Sequence, residues 1–251
     1  MGRKVLGGLL VWAVMVVPMS VSGTGVPEVS NHQAIYDFYL GGIWAGEMTV
    51  EAVFNRGRDG GGTYRAGVKA QTAGIVGFFF TAGVDGETVG RIDADGLSPL
   101  RFVADAYELT HRQQVEMSYV DGALEIRAEP AYRVRPWSMS PEGMESIADP
   151  LSASYEAFAP TTADAVCNQT AEMFDGSRRW AIEIGLPQHD GHRIHCDAVY
   201  VRIAGFRRKL MGPKARRPFA LLYEQRSDGL FHAVRAVGQT SFGLAVLLLR
   251  E

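Results

Sequence analysis

Cysteine is scarce in this chain, with two residues in 251. That excludes a dense disulfide scaffold and a four-cysteine zinc site. Positive charge is not in excess: Lys plus Arg is 25, Asp plus Glu is 28, and the net charge is −3. A general nucleic-acid binder needs a basic excess to displace counterions from phosphates, so no nucleic-acid partner is expected. No apolar run reaches the ~20 residues of a helical membrane span. No long segment repeats its apolar residues with a 3.6-residue period, which argues against α/β folds. The G-x-S-x-G, S-x-x-K, H-E-x-x-H and P-loop signatures are missing. Gly60-Gly61-Gly62 lies in a polar stretch and reads as a flexible hairpin loop, not a phosphate cradle. His32, His111 and His232 are isolated in sequence. The expectation is a non-enzymatic protein with no cofactor.

What is present is a globular composition, 47% hydrophobic and 21% charged, of the size of one large domain. Arg3 and Lys4 precede an almost entirely apolar stretch at 5–17, and Pro18 ends it. Ser20, Val21, Ser22 and Gly23 give the small-residue pattern of a signal-peptidase site. Residues 1–23 are therefore read as a cleaved leader. Residues 24–251 are read as a single β-rich periplasmic domain with no membrane span. An uncleaved anchor is the alternative.

Export decides how the cysteines read. Cys167 and Cys196 form an even pair, which in an oxidising compartment is most simply a disulfide. Closing that loop is worth about 3–4 kcal/mol on the chain-entropy model. The competing reading is zinc, because His189, His192 and His195 run into Cys196. If 193–202 is a strand, however, His195 and Cys196 point to opposite faces.

The body of the chain reads as β. Asp-Gly, the strongest tight-turn signal, occurs seven times, at Asp59, Asp85, Asp95, Asp121, Asp175, Asp190 and Asp228. Strands are expected at 34–40, 46–54, 64–72, 113–120, 123–127, 180–186, 193–203, 219–225 and 231–237, with a buried final strand at 244–249. This is an antiparallel meander that forms a barrel, a half-barrel or a sandwich. Residues 74–80 read Gly-Ile-Val-Gly-Phe-Phe-Phe; periodicity cannot choose between buried strand and helical turn. Asp149 as N-cap and Pro150 in the first helical position predict a short helix at 149–158.

The string Tyr36-Asp37-Phe38-Tyr39-Leu40-Gly41-Gly42-Ile43-Trp44-Ala45-Gly46-Glu47-Met48 resembles the opening of a bacterial exported family known as domain of unknown function 3108. Three further matches follow in order: Thr72-Ala73-Gly74-Ile75-Val76-Gly77-Phe78-Phe79, Asp149-Pro150-Leu151-Ser152-Ala153 and Phe174-Asp175-Gly176-Ser177-Arg178-Arg179. The resemblance implies an all-β fold built on a strongly curled antiparallel sheet, an open barrel or β-spiral. His32-Gln33-Ala34-Ile35-Tyr36 is also similar to the start of the cell-envelope integrity family of β-spiral periplasmic proteins. Neither likeness carries over a catalytic residue.

Three features are candidates for binding. Arg207, Arg208, Lys209, Lys214, Arg216 and Arg217 cluster on an otherwise acidic chain. They suit anionic lipid head groups or another acidic envelope polymer, or form a solvated loop that keeps a sheet edge from pairing. Phe78 and Phe79, with Ile75 and Val76, read as core, or else as the lip of an apolar groove. The run at 244–249 is the third. Two functions follow. In one, the curled sheet holds a lipid-like or other apolar ligand in a groove lined by Tyr36, Phe38, Trp44, Phe78 and Phe79. In the other, a structural module with a filled core binds an envelope protein through its surface. An outer-membrane barrel would need longer lipid-facing alternation and an aromatic belt. Intact-mass measurement of exported protein, purified without reductant, is expected to give a value lower than the reduced chain by two hydrogens. A zinc adduct with both thiols retained would overturn the disulfide.

Overall fold

The computed structural model describes residues 28–57, 61–94 and 96–250. The leader read at 1–23, the Asp59–Gly60 turn and Asp95 lie outside the described residues. The strands are β1 (Glu28–Leu40), β2 (Ile43–Arg56), β3 (Gly62–Thr72), β4 (Ala82–Asp93), β5 (Gly96–Glu108), β6 (His111–Val120), β7 (Ala123–Glu129), β8 (Gln169–Phe174), β9 (Arg179–Ile184), β10 (Gln188–Asp190), β11 (Arg193–Ala204), β12 (Arg216–Gln225), β13 (Phe231–Thr240) and β14 (Gly243–Leu249). Helix α1 (Gly74–Phe79) joins β3 to β4, and α2 (Pro150–Phe158) lies between β7 and β8.

All fourteen strands belong to one sheet, ordered β7-β6-β5-β4-β3-β2-β1-β14-β13-β12-β11-β9-β8, with β10 added on β11. Most neighbours are joined by hairpins. The exception at the centre is β1 against β14, where Tyr36 faces Leu249 and Leu40 faces Ala245. The edges are β7 and β8. The sheet curls so that these edges approach each other without pairing. Ala148 bridges to Met173 of β8, and the Tyr132 hydroxyl donates to the Asp175 carbonyl at 3.3 Å. The result is an open, strongly curled barrel.

Turn chemistry explains much of this meander. Asp121 and Gly122 both take positive φ, 50° and 76°, as a two-residue hairpin with the strands' own twist requires. Asp85–Gly86 behaves otherwise: it lies inside β4, with Gly86 paired to Val68 on one side and Ala104 on the other. Two ladders override the local turn preference. β4, β5, β8 and β10 were not among the expected strands, and β5 carries a proline. Pro99 faces Gly90 where the register shifts, and a bulge is where a sheet tolerates proline.

Helix α2 fills the interior. Its buried face is small, Ser152, Ala153 and Ala157, so the helix backbone approaches the sheet closely. Three apolar clusters meet it. Leu151 packs with Phe102, Met117, Met144 and Phe174. Tyr155 packs with Phe54 and Tyr64. Ala157 joins Val166, Ile194, Leu221 and Tyr223. Cys167 and Cys196 are bonded, with Cα atoms 6.1 Å apart, and fix the segment after α2 to β11.

The N-terminus of α2 carries a buried polar cage. Asp149, Ser152 and Thr88 are each 0% exposed. One carboxylate oxygen of Asp149 accepts from the Leu151 and Ser152 amides at 2.9 and 3.0 Å. The other accepts from Thr88 at 2.9 Å and from the Ser152 hydroxyl. The Tyr64 and Ser152 hydroxyls share a further bond of 2.6 Å. Burial raises the Asp149 carboxyl above its usual range, against the pull of these donors, and pushes Tyr64 up to about 12.

Asp149→Ala removes an N-cap and strands buried hydroxyls, and is expected to cost roughly 2–4 kcal/mol in urea unfolding. The raised carboxyl also has a sign. The folded chain keeps its proton to higher pH than the unfolded chain, so this group loses stability as pH climbs above 3.8. Wild-type stability relative to Asp149→Asn is expected to fall over that rise; a flat difference would refute the buried carboxyl's role.

Candidate functional site

The sheet has two ends, and pair registers assign each connection to one of them. Leu40 faces Ile43, Gly46 faces Thr72, Gln71 faces Gly83, Ala82 faces Glu108 and Thr240 faces Gly243. Val201 faces Arg216, and Arg179 faces both Ala204 and Phe174. The turns at 41–42, 109–110, 175–178 and 241–242, helix α1 and the connection at 205–215 therefore share one rim.

On that rim α1 is an apolar tip. Residues 73–80 contain no polar side chain. Phe78, Phe79 and Ile75 are 83%, 76% and 68% exposed, so they are neither core nor strand. Local hydrogen bonds hold the tip in shape. The amides of Gly77 and Phe80 donate to Ala73 and Val76 carbonyls at 2.9 and 2.8 Å. At its base the Thr72 hydroxyl donates to the Phe80 carbonyl at 2.8 Å and accepts from the Ala82 amide at 2.9 Å. Trp44 lies beneath, its indole N–H donating to Asp37 at 2.9 Å. A Cβ on Gly74, at φ +59°, would come within 3.1 Å of the Trp44 ring. Gly46 is similarly obligatory, since a Cβ there would sit 2.1 Å from the Gln71 carbonyl. Phe242, Ile43 and Leu109 extend the exposed apolar surface of the rim.

The expected interior groove is not how these aromatics are placed. Trp44, Phe78 and Phe79 stand on the outer rim. Phe38 is half-buried in the sheet opposite Leu247. Tyr36 is at the other end, donating to the Ala233 carbonyl at 3.0 Å. The interior that they were expected to line is occupied by α2. The six expected cations do cluster. Two turns of 3-10 helix, Arg208–Leu210 and Gly212–Ala215, shape the connection carrying four of them, and Arg216 and Arg217 begin β12. Arg216 is ion-paired to Glu183 at 2.5 Å. The edge-guard reading fails, because β11 and β12 are both paired on each side.

The sequence missed a second feature at the opposite end. β14 stops where β1 and β13 continue, leaving an open space of about 300 Å³ lined by His32, Tyr36, Phe158, Pro160 and His232. His232 Nε2 lies 2.8 Å from the Asp228 carboxylate. The His32 ring is 6.0 Å from His232 and 5.9 Å from Tyr155. Its Nδ1 is buried with no hydrogen-bond partner among the described residues. Burial, then His232, push His32 below its usual value, with Asp228 opposing. Asp228 and His232 flank the Asp228–Gly229 turn, a spacing that sequence could have flagged; His32 comes from the far end of the chain. Among the described residues no hydroxyl or thiol is hydrogen-bonded to either imidazole.

A lowered imidazole gives a defined pH response. As pH falls below 6.5, the unfolded chain takes up a proton that the folded chain resists at His32, so stability falls. Replacement by Gln is expected to remove that part of the decline in a series of thermal melts; an unchanged decline would place its origin elsewhere.

No helix of the described residues is long and apolar enough to cross a membrane. No curated protein matches the chain. A solved structure, a β-barrel-like protein of domain of unknown function DUF1849 from Brucella abortus, is similar at 15% identity and a TM-score of 0.39, over 90% of this chain and 98% of that one. The family model described as "Protein of unknown function (DUF3108)" matches residues 35–187. With more than half its length matched, and with the curled sheet and the capped helix lying within or beside that stretch, the chain belongs to the DUF3108 family.

Proposed function

We propose that this protein is a non-enzymatic, exported envelope module that engages an apolar partner through the aromatic rim of its curled sheet. The observation that carries the reading is the α1 tip, where two phenylalanines 83% and 76% exposed stand on a hydrogen-bonded turn without a polar side chain. Exposed apolar surface of this kind marks interaction sites on soluble domains. The packed interior supports action through the outside over storage of a ligand within. The bonded Cys167–Cys196 pair and the basic-apolar leader support export to the periplasm.

Burying a phenylalanine is worth about 1.5–3 kcal/mol, or roughly ten-fold or more in affinity for each ring. Wild-type protein is expected to partition onto zwitterionic phosphatidylcholine vesicles. The double substitution Phe78→Asp, Phe79→Asp is expected to lose that binding while keeping its circular dichroism, since neither ring supports the core. Absence of wild-type binding, or equal binding by the variant, would overturn the reading.

A further inference from the structure

We propose that the partner of the aromatic rim is a bilayer surface carrying anionic phosphate head groups, and that the β11–β12 connection supplies the cations that select it. The inference rests on the rim reading above and deepens it. Residues 198–223 hold seven cations, Arg202, Arg207, Arg208, Lys209, Lys214, Arg216 and Arg217, and no acid, in a chain of net charge −3. The positive charge stands at the same end of the sheet as the apolar tip, with β13, β14, β1 and β2 between the two connections.

The fold spends few of these charges internally. Arg216 is paired with Glu183. Arg202 donates to the Lys214 carbonyl at 2.8 Å, tying the connection to β11. Among the described residues, Arg208, Lys209, Lys214 and Arg217 have no carboxylate partner, and all four are exposed. Aromatic rings hold others in place. Arg207 sits 5.6 Å over Trp137, and Arg178 and Arg202 lie 5.8 and 5.5 Å from the Phe206 ring. The contact with Trp137 brings the 130–138 stretch, with Arg133 and Arg135, towards the same cluster.

Sheet-edge protection does not account for this charge, since the strands that the connection joins, β11 and β12, have neighbours on both sides. Exposed aromatic side chains and unpaired cations at one end of the sheet match an interface of acyl chains under phosphate. A neutral apolar partner would leave the cations without a counterpart, and a soluble polyanion would leave the phenylalanines without one.

The test compares flotation with vesicles of phosphatidylcholine alone and of phosphatidylcholine mixed with phosphatidylglycerol, across a salt series. Wild type is expected to bind the anionic vesicles far more tightly, with the preference shrinking as salt rises. The triple variant Arg208→Gln, Lys209→Gln, Lys214→Gln is expected to lose about five-fold per cation, on the order of a hundred-fold in all, while keeping its binding to phosphatidylcholine. Equal wild-type binding to both vesicles overturns the inference and leaves the rim reading intact. Undiminished anionic binding by the triple variant overturns it as well. Binding of soluble polyphosphate without binding of anionic vesicles assigns the cations to a polyanion and overturns it. Failure to bind either vesicle sinks both readings.

Discussion

Everything in this molecule depends on filling the inside of a curled sheet, and the filling is held by one buried carboxyl. A sheet that bends this strongly turns one face inward, and water cannot remain against its side chains without cost. Helix α2 occupies that space, and Asp149 fixes where the helix begins. Its oxygens gather two backbone amides and two hydroxyls, one of them from β4. A polar cage is tolerated inside an apolar core because its members have partners. The family-like string at 149–153 thus has an architectural role: it locks the helix into the sheet.

With the interior committed to packing, the exposed side-chain chemistry is divided between the two ends of the sheet. One rim gathers aromatic side chains and unpaired cations. The opposite end holds the open space where His32, His232 and Asp228 meet. The sheet between them is paired along almost its whole width. Its edges β7 and β8 stay unpaired, and the 130–149 stretch draws these towards each other through Ala148 and Tyr132.

The sequence made the frame legible because its signals are local. Alternation marked most strands, Asp121–Gly122 marked a hairpin, and Asp149–Pro150 marked the start of α2. Other features depend on partners remote in the chain. Asp85–Gly86 carries the same dipeptide as a true turn, and only β3 and β5 make it a strand. Pro99 sits in β5 at a register shift against Val89 and Gly90, a feature only the pairing with β4 creates. The run at 74–80 has one apolar signature whether it is buried or displayed, so Phe78 and Phe79 read as core. The six cations were visible as a cluster, but their place at the same end of the sheet as the aromatic tip depends on strand registers. His32 and His232 meet only because β1 and β13 both outrun β14.

The pairing of β1 with β14 has a further consequence. This seam lies in the middle of the sheet, yet it joins residues as distant as Tyr36 and Leu249. The two meanders on either side are assembled mainly from neighbours in sequence. Their union needs the longest loop closure in the fold, which makes it a late and slow event. The middle of the sheet, and not its edges, is thus where assembly depends on the most distant pairing.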